Sequence, residues 1–202
     1  MAGIRAFLAV DLDDAARAEA LELAQRLRGR PGGDHVRWVR SEALHVTLRF
    51  LGQMDPQRAG ELTQHVTREV RTQEPFALRL GTPHPFPSAR RPRVVALEVE
   101  PREPLGALAD AVERGVVAAG FEPEARAFRA HLTLGRMRGG RPPQMEDLDA
   151  PRAESPVRDV VLYRSHLGRG GSRYEPLERM PLGSAGGDAS PRTIVQGENE
   201  HG

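Results

Sequence analysis

The tetrapeptide His45-Val46-Thr47-Leu48 returns, with one conservative change, as His131-Leu132-Thr133-Leu134. A histidine and a threonine two residues apart share a face only on extended backbone, because strand side chains alternate with period two. On a helix the same pair would diverge by about 200°. Both copies therefore read as half-buried strands, with an imidazole and a hydroxyl on one face and aliphatic side chains on the other. For the copies to act together, the fold must bring two strands from distant parts of the chain side by side.

The surrounding pattern supplies such a fold. Arg5 to Leu12 (RAFLAVDL) reads as a buried strand, followed by an alanine- and leucine-rich helix with Asp13 or Asp14 as its N-cap and Gly29 as its stop. Short alternating strands are expected at 36–40 and 45–52, then a helix with Pro56 in its first turn, and a strand at 76–80. The proline-rich run 81–93 reads as an exposed loop. Then come a strand at 93–100, a helix ending at Gly120, the second motif strand at 129–137, a loop-rich stretch, and a β-hairpin turning at Gly168 to Gly171. The order strand, helix, strand bearing His-x-Thr occurs twice, which points to an α/β (α+β) architecture of two pseudo-symmetric lobes, with mixed or antiparallel sheet and outer helices. Residues 1–182 form one domain on this reading, and the polar, glycine-rich 183–202 is expected to be a disordered tail.

Each motif suits a phosphate. Threonine donates a hydrogen bond to a non-bridging oxygen, and histidine, titrating near neutrality, passes protons to water or to bridging oxygens. Two copies facing each other across one phosphorus permit in-line displacement, one imidazole taking a proton while the other gives one. A third match, His65-Val66-Thr67, falls in an expected helix, where its side chains cannot converge. Strand alternation puts His45, Thr47 and Arg49 on one face, and Val46, Leu48 and Phe50 on the apolar one.

Taken with RAFLAVDL, LRFLG, FRAHLTLGR and LYRSHLGRGGSRYEPL, the paired motifs resemble the RNA 2′,3′-cyclic phosphodiesterases of the two-histidine phosphoesterase superfamily, also called 2′-5′ RNA ligases. The resemblance covers about residues 4–182. It implies a bilobal fold with a central cleft and metal-independent hydrolysis of a terminal 2′,3′-cyclic phosphate to a 2′-phosphomonoester. His45 is similar to the family's proton donor to the departing 3′ oxygen, and His131 to its base. Thr47 and Thr133 would hold phosphate oxygens. Arg136 matches a family position near the phosphate, with Gly135 before it loosening its placement.

The 29 basic residues nearly balance 28 acidic ones, so net charge indicates neither a nucleic-acid coat protein nor a membrane binder. Lysine is absent, which excludes the adenylated lysine of ATP-dependent ligases and the P-loop lysine; any ligation would be ATP-independent reversal of the cyclic-phosphate chemistry, weak beside hydrolysis. Without cysteine there is no thiolate nucleophile or sulfur-based zinc site. No cofactor or metal is expected, although Asp11, Asp13 and His84 are available to a metallohydrolase. The other alternative, a non-catalytic module binding nucleotides in the same cleft, would ordinarily have lost a motif histidine.

The expected partner is RNA with a 2′,3′-cyclic phosphate terminus, or a small cyclic nucleotide, bound by a cytoplasmic monomer with no membrane association. Arg49, Trp38 and Tyr174 are candidate RNA contacts. Arg90, Arg91 and Phe86 are weaker ones, Phe50 reads as core, and Tyr163 fits either setting.

Overall fold

The computed structural model describes residues 3–168 and 171–183. The expected tail lies outside the described residues from Ser184 onward, as does the tip of the hairpin at Arg169 and Gly170. The described residues form nine strands and three α-helices: β1 (Ile4–Asp11), α1 (Asp14–Arg28), β2 (Val36–Trp38), β3 (His45–Met54), α2 (Ala59–Val70), β4 (Phe76–Phe86), β5 (Val94–Glu100), α3 (Arg102–Ala118), β6 (His131–Met137), β7 (Glu154–Val157), β8 (Asp159–Gly168) and β9 (Gly171–Pro181). No described helix is long and apolar enough to cross a membrane.

The strands make one sheet in the order β7-β4-β5-β6-β3-β1-β8-β9, with β2 also on β6, and every pairing is antiparallel. The two lobes are its two halves, and the motif strands β6 and β3 are the inner strand of each. Their only ladder pair is Val46 opposite Leu132. Helix α1 follows β1 in sequence but packs over β6, β4 and β7, whereas α3 packs against β3 and on α2. The core face of each motif strand is thus covered by a helix that follows a strand of the other half. Ile4, Ala6, Leu8 and Val10 of β1, Val46 and Leu48 of β3, and Leu132 and Leu134 of β6 all join the same buried cluster.

Local chemistry explains where elements begin. Asp13 caps α1 by accepting a hydrogen bond from the Ala16 amide at 2.9 Å, while its own amide donates to the buried Ser155 hydroxyl at 2.8 Å, tying the helix start to β7. The Arg17 guanidinium donates to the carbonyls of Leu12 and Ser41 at 2.9 and 2.7 Å, clamping the end of β1 to the segment that leads into His45.

Two expectations are corrected. The run 81–86 is not loop but the second half of β4, paired to β5 through Pro83–Leu97 and Pro85–Val95. Its prolines are tolerated because β7 covers only Phe76–Arg79, so beyond that point β4 is an edge strand that needs no donors on its outer side. The other correction concerns face parity. The partners of β1 shift by one residue between Leu8–Arg49 and Ala9–Thr47, leaving Leu48 as the extra residue of a β-bulge. Arg49 therefore stands opposite the core residue Leu8, and Phe50 opposite Phe7 on the cleft side, the reverse of strict alternation. Phe50 is 54% exposed rather than core.

The second motif is bulged at the same place. Thr133 pairs with Ala96 and Gly135 with Val95, leaving Leu134 extra, and Arg136, opposite Val94, is returned to the cleft face. Gly135 itself is closely packed. A Cβ there would lie 2.3 Å from Val36 Cγ1 and 3.2 Å from the Arg37 carbonyl, so glycine is what lets β2 approach β6. Gly135→Ala is expected to destabilise the protein by about 1–3 kcal/mol, as overpacking does, read from chemical denaturation; unchanged stability would contradict the close approach.

Candidate active site

Extending the Val46–Leu132 pair by one residue each way sets His45 across from Thr133, and Thr47 across from His131. The two imidazoles and the two hydroxyls occupy opposite corners of one patch on the face away from the core. All four line a cleft of about 830 Å³, together with Arg136 and Tyr174. The strand pairing brings together these candidates from both ends of the chain.

The His131 imidazole is oriented by a backbone carbonyl two residues upstream: its Nδ1 donates to the Arg129 carbonyl at 2.7 Å, leaving Nε2 with its lone pair free to accept a proton. His45 Nε2 lies 3.1 Å from Thr47 Oγ1, within hydrogen-bond reach.

Aromatic rings set the planes. His131 stacks on Phe86 at 4.0 Å between centroids, and the Arg129 guanidinium lies 4.5 Å from the same ring. His45 stacks on Phe7 at 4.8 Å and meets the edge of Tyr174 at 5.1 Å. Sequence reasoning misses Phe7 because its strand reads as buried throughout. Its parity with Arg5 and Asp11, opposite to Leu8 and Val10, is the signal that places it under the cleft.

Behind His45 lies a fixed carboxylate. Asp11 is its direct cross-strand partner on β1, accepts from the Tyr163 hydroxyl at 2.6 Å, and is ion-paired with Arg179 at 2.9 Å. Burial and this hydrogen bond push the Tyr163 phenol up, so it stays protonated and serves Asp11 rather than the cleft. Asp11 therefore belongs to a network of strands β1, β8 and β9. Among the described residues no three His, Asp or Glu side chains converge as a metal-binding set would.

The electrostatic surroundings of the histidines differ. Burial pushes the His45 imidazole down to about 4, while the Asp11 carboxylate and the Ala43 carbonyl pull in the opposite direction. His131 is also lowered by burial, with the Arg129 carbonyl opposing; the nearby charges of His84, Arg129 and Arg136 all push it further down. A carboxylate opposes the shift at His45, Arg136 deepens it at both rings, and His84 and Arg129 deepen it at His131.

The remaining candidates are dispersed. The Arg49 guanidinium is held by Glu113 at 2.6 Å and Glu124 at 3.4 Å, so it lines the cleft but is already occupied by carboxylates. The Trp38 indole donates to the Gly33 carbonyl at 3.1 Å, packs on the core and borders only a small side pocket. Tyr174 faces the cleft. Arg90 and Arg91 are exposed and do not border it, and neither does His65, which sits on α2.

An antiparallel sheet carrying two inward His-x-Thr strands defines a two-histidine phosphoesterase fold. The chain belongs to the 2′-5′ RNA ligase superfamily, which residues 12–169 match. It is 31% identical over 177 residues to the RNA 2′,3′-cyclic phosphodiesterase of Thermotoga maritima, covering 86% of this chain and 93% of that one. It is 33% identical over 178 residues to the enzyme of that name from Archaeoglobus fulgidus, covering 86% and 98%. Among solved structures, Escherichia coli LigT in apo form superposes with a TM-score of 0.73 at 27% identity, covering 91% of this chain and all of that one. LigT complexed with 3′-AMP gives a TM-score of 0.72 at 28% identity, covering 89% and 98%.

Both histidines are neutral near pH 7 in the free protein, whereas an unfolded chain titrates them at the ordinary value of 6.5. Between that value and the folded His45 value of about 4 the unfolded state binds more protons, so stability falls as pH is lowered through this window. Thermal melts from pH 7 to pH 4 should show a smaller acid loss for His45→Gln than for the wild type; identical losses would contradict the buried neutral imidazole.

Proposed function

We propose that this protein hydrolyses RNA 2′,3′-cyclic phosphate ends to 2′-phosphomonoesters by metal-independent general acid-base catalysis. The observation that carries the reading is the diagonal placement of His45 and His131 around the Val46–Leu132 pair, with Thr47 and Thr133 on the other diagonal. The family and the names of its similar members support the substrate class.

In this mechanism the phosphate lies between the diagonals, the Thr47 and Thr133 hydroxyls and the Arg136 guanidinium holding its non-bridging oxygens. His131 Nε2 takes a proton from a water as that water's oxygen bonds to phosphorus. The bond from phosphorus to O3′ breaks on the opposite side, and His45 gives its proton to O3′. The 2′ oxygen keeps the phosphate. A 5′-hydroxyl in place of the water would form a 2′-5′ linkage by the same steps, without ATP.

The assignment of His45 as acid and His131 as base follows the family resemblance. Burial lowers both imidazoles, His45 to about 4, with the Asp11 carboxylate opposing the fall at His45 and Arg136 deepening it at both. The substrate's own negative charge adds to the proton affinity of both rings, as a general acid at this site requires.

With EDTA present, a short RNA ending in a 2′,3′-cyclic phosphate should yield a 2′-phosphate by phosphorus NMR. A 3′-phosphate would overturn the choice of broken bond, and no turnover without added metal would overturn the mechanism. His45→Ala and His131→Ala should each lower kcat by about 10²–10⁴-fold, the usual worth of a positioned acid or base. Thr47→Ala and Thr133→Ala should cost about 10²–10³-fold, as lost oxyanion donors do.

The plot of kcat/KM against pH should be a bell centred below neutrality, because both free imidazoles are depressed. Asp11→Asn should move the limb set by His45 to lower pH, because the carboxylate opposes the fall in that ring's proton affinity. An unmoved profile would contradict that contact.

A further inference from the structure

The cleft is open at one corner to a side pocket of about 50 Å³ bordered by Arg37, Arg40, Arg136, Ser172 and Tyr174. Arg37, Arg136 and Tyr174 line the main cleft as well, so the two spaces are continuous. Arg37 and Arg136 are direct cross-strand partners on β2 and β6, with Cα atoms about 5 Å apart as such partners are. Like charges directly opposite one another destabilise a sheet. Here no described carboxylate relieves them: neither these two nor Arg40 is ion-paired among the described residues. Three unpaired guanidiniums around one recess are an anion site, since arginine forks match phosphate oxygens. The recess has room for a few water-sized groups, the scale of a phosphate and not of a nucleobase.

Building on the proposed reaction, we infer that Arg37 and Arg40 form a second phosphate subsite that binds the phosphate on O5′ of the nucleoside carrying the cyclic end. The chemistry of the substrate fixes this choice. The reacting phosphorus uses O2′ and O3′ of the terminal ribose, so the other phosphate that nucleoside can carry is on O5′. Tyr174 spans the distance, its ring centroid 5.1 Å from that of His45 and its side chain also bordering the pocket. Arg136 lies between the two phosphates. The subsite makes the enzyme prefer an end with a 5′ phosphate over a bare nucleoside 2′,3′-cyclic phosphate. That phosphate is either the internucleotide link of RNA or the 5′-monoester of a mononucleotide.

The test compares kcat/KM for adenosine 2′,3′-cyclic phosphate, its 5′-phosphorylated form, the dinucleotide ApA with a 2′,3′-cyclic end, and that dinucleotide with a neutral methylphosphonate link. The charged dinucleotide should exceed the bare nucleoside by at least about tenfold, the worth of one good charge-assisted contact. The methylphosphonate should lose that advantage. Equal advantage for the 5′-monophosphate would identify a mononucleotide as a source; its absence would assign the subsite to RNA links.

Arg37→Gln with Arg40→Gln should abolish the preference while leaving turnover of the bare nucleoside within about twofold. Equal kcat/KM for the charged and neutral links in the wild type overturns the proposal, whatever the folding of the double variant. If no cyclic phosphate is hydrolysed, the reaction fails rather than the subsite. Calorimetric binding of ApA 2′-phosphate against adenosine 2′-phosphate, in wild type and double variant, then decides the subsite: no difference between the two ligands would overturn it.

Discussion

The site depends on a single apolar contact across the middle of the sheet. Val46 and Leu132, both fully buried, form the one ladder pair between the halves. Antiparallel register around that pair makes the flanking residues diagonal, so two copies of one strand motif become a histidine and a threonine from each side. A slip of one residue would turn the imidazoles into the core. The helices hold the register, because α1 and α3 each cover the half to which they do not belong. The hydrophobic burial that stabilises the sheet and the geometry that places the two histidines are therefore the same contact.

Two further devices act on top of this frame. A bulge at the leucine of each motif reverses the face of the next residues along the strand, sending Arg136 and Phe50 toward the cleft from equivalent positions, and giving Arg49 to α3. The halves thereby diverge after starting alike: one contributes a cation at the rim and the other an aromatic ring. Behind the motifs the asymmetry is electrostatic. Asp11, fixed by Tyr163 and Arg179, faces His45, while Arg129 and His84 sit near His131.

Much of this is legible from residues alone. Two His-x-Thr strands with aliphatic residues between them require a shared sheet, and the helix around Thr67 removes the third match. The Asp13 cap and the Gly120 turn, with its φ of 79°, are likewise consequences of local chemistry. The exceptions have a common physical cause. Bulges add a residue without leaving any mark in the alternation, so strict parity exchanges the faces of Arg49 and Phe50. Edge position is a property of the whole sheet, so the prolines of β4 read as a loop. Asp11 is separated from Tyr163 and Arg179 by most of the chain, and nothing local marks the network they form.

The proposed mechanism requires that one imidazole hold a proton while its diagonal partner does not when a phosphate lies between them. Nitrogen-15 NMR of labelled histidines, with a non-hydrolysable 2′,3′-cyclic phosphonate nucleoside bound, reads both rings directly. A protonated His45 and a neutral His131 with its proton on Nδ1 are expected. Two rings in the same state, or the proton on His131 alone, would contradict that mechanism.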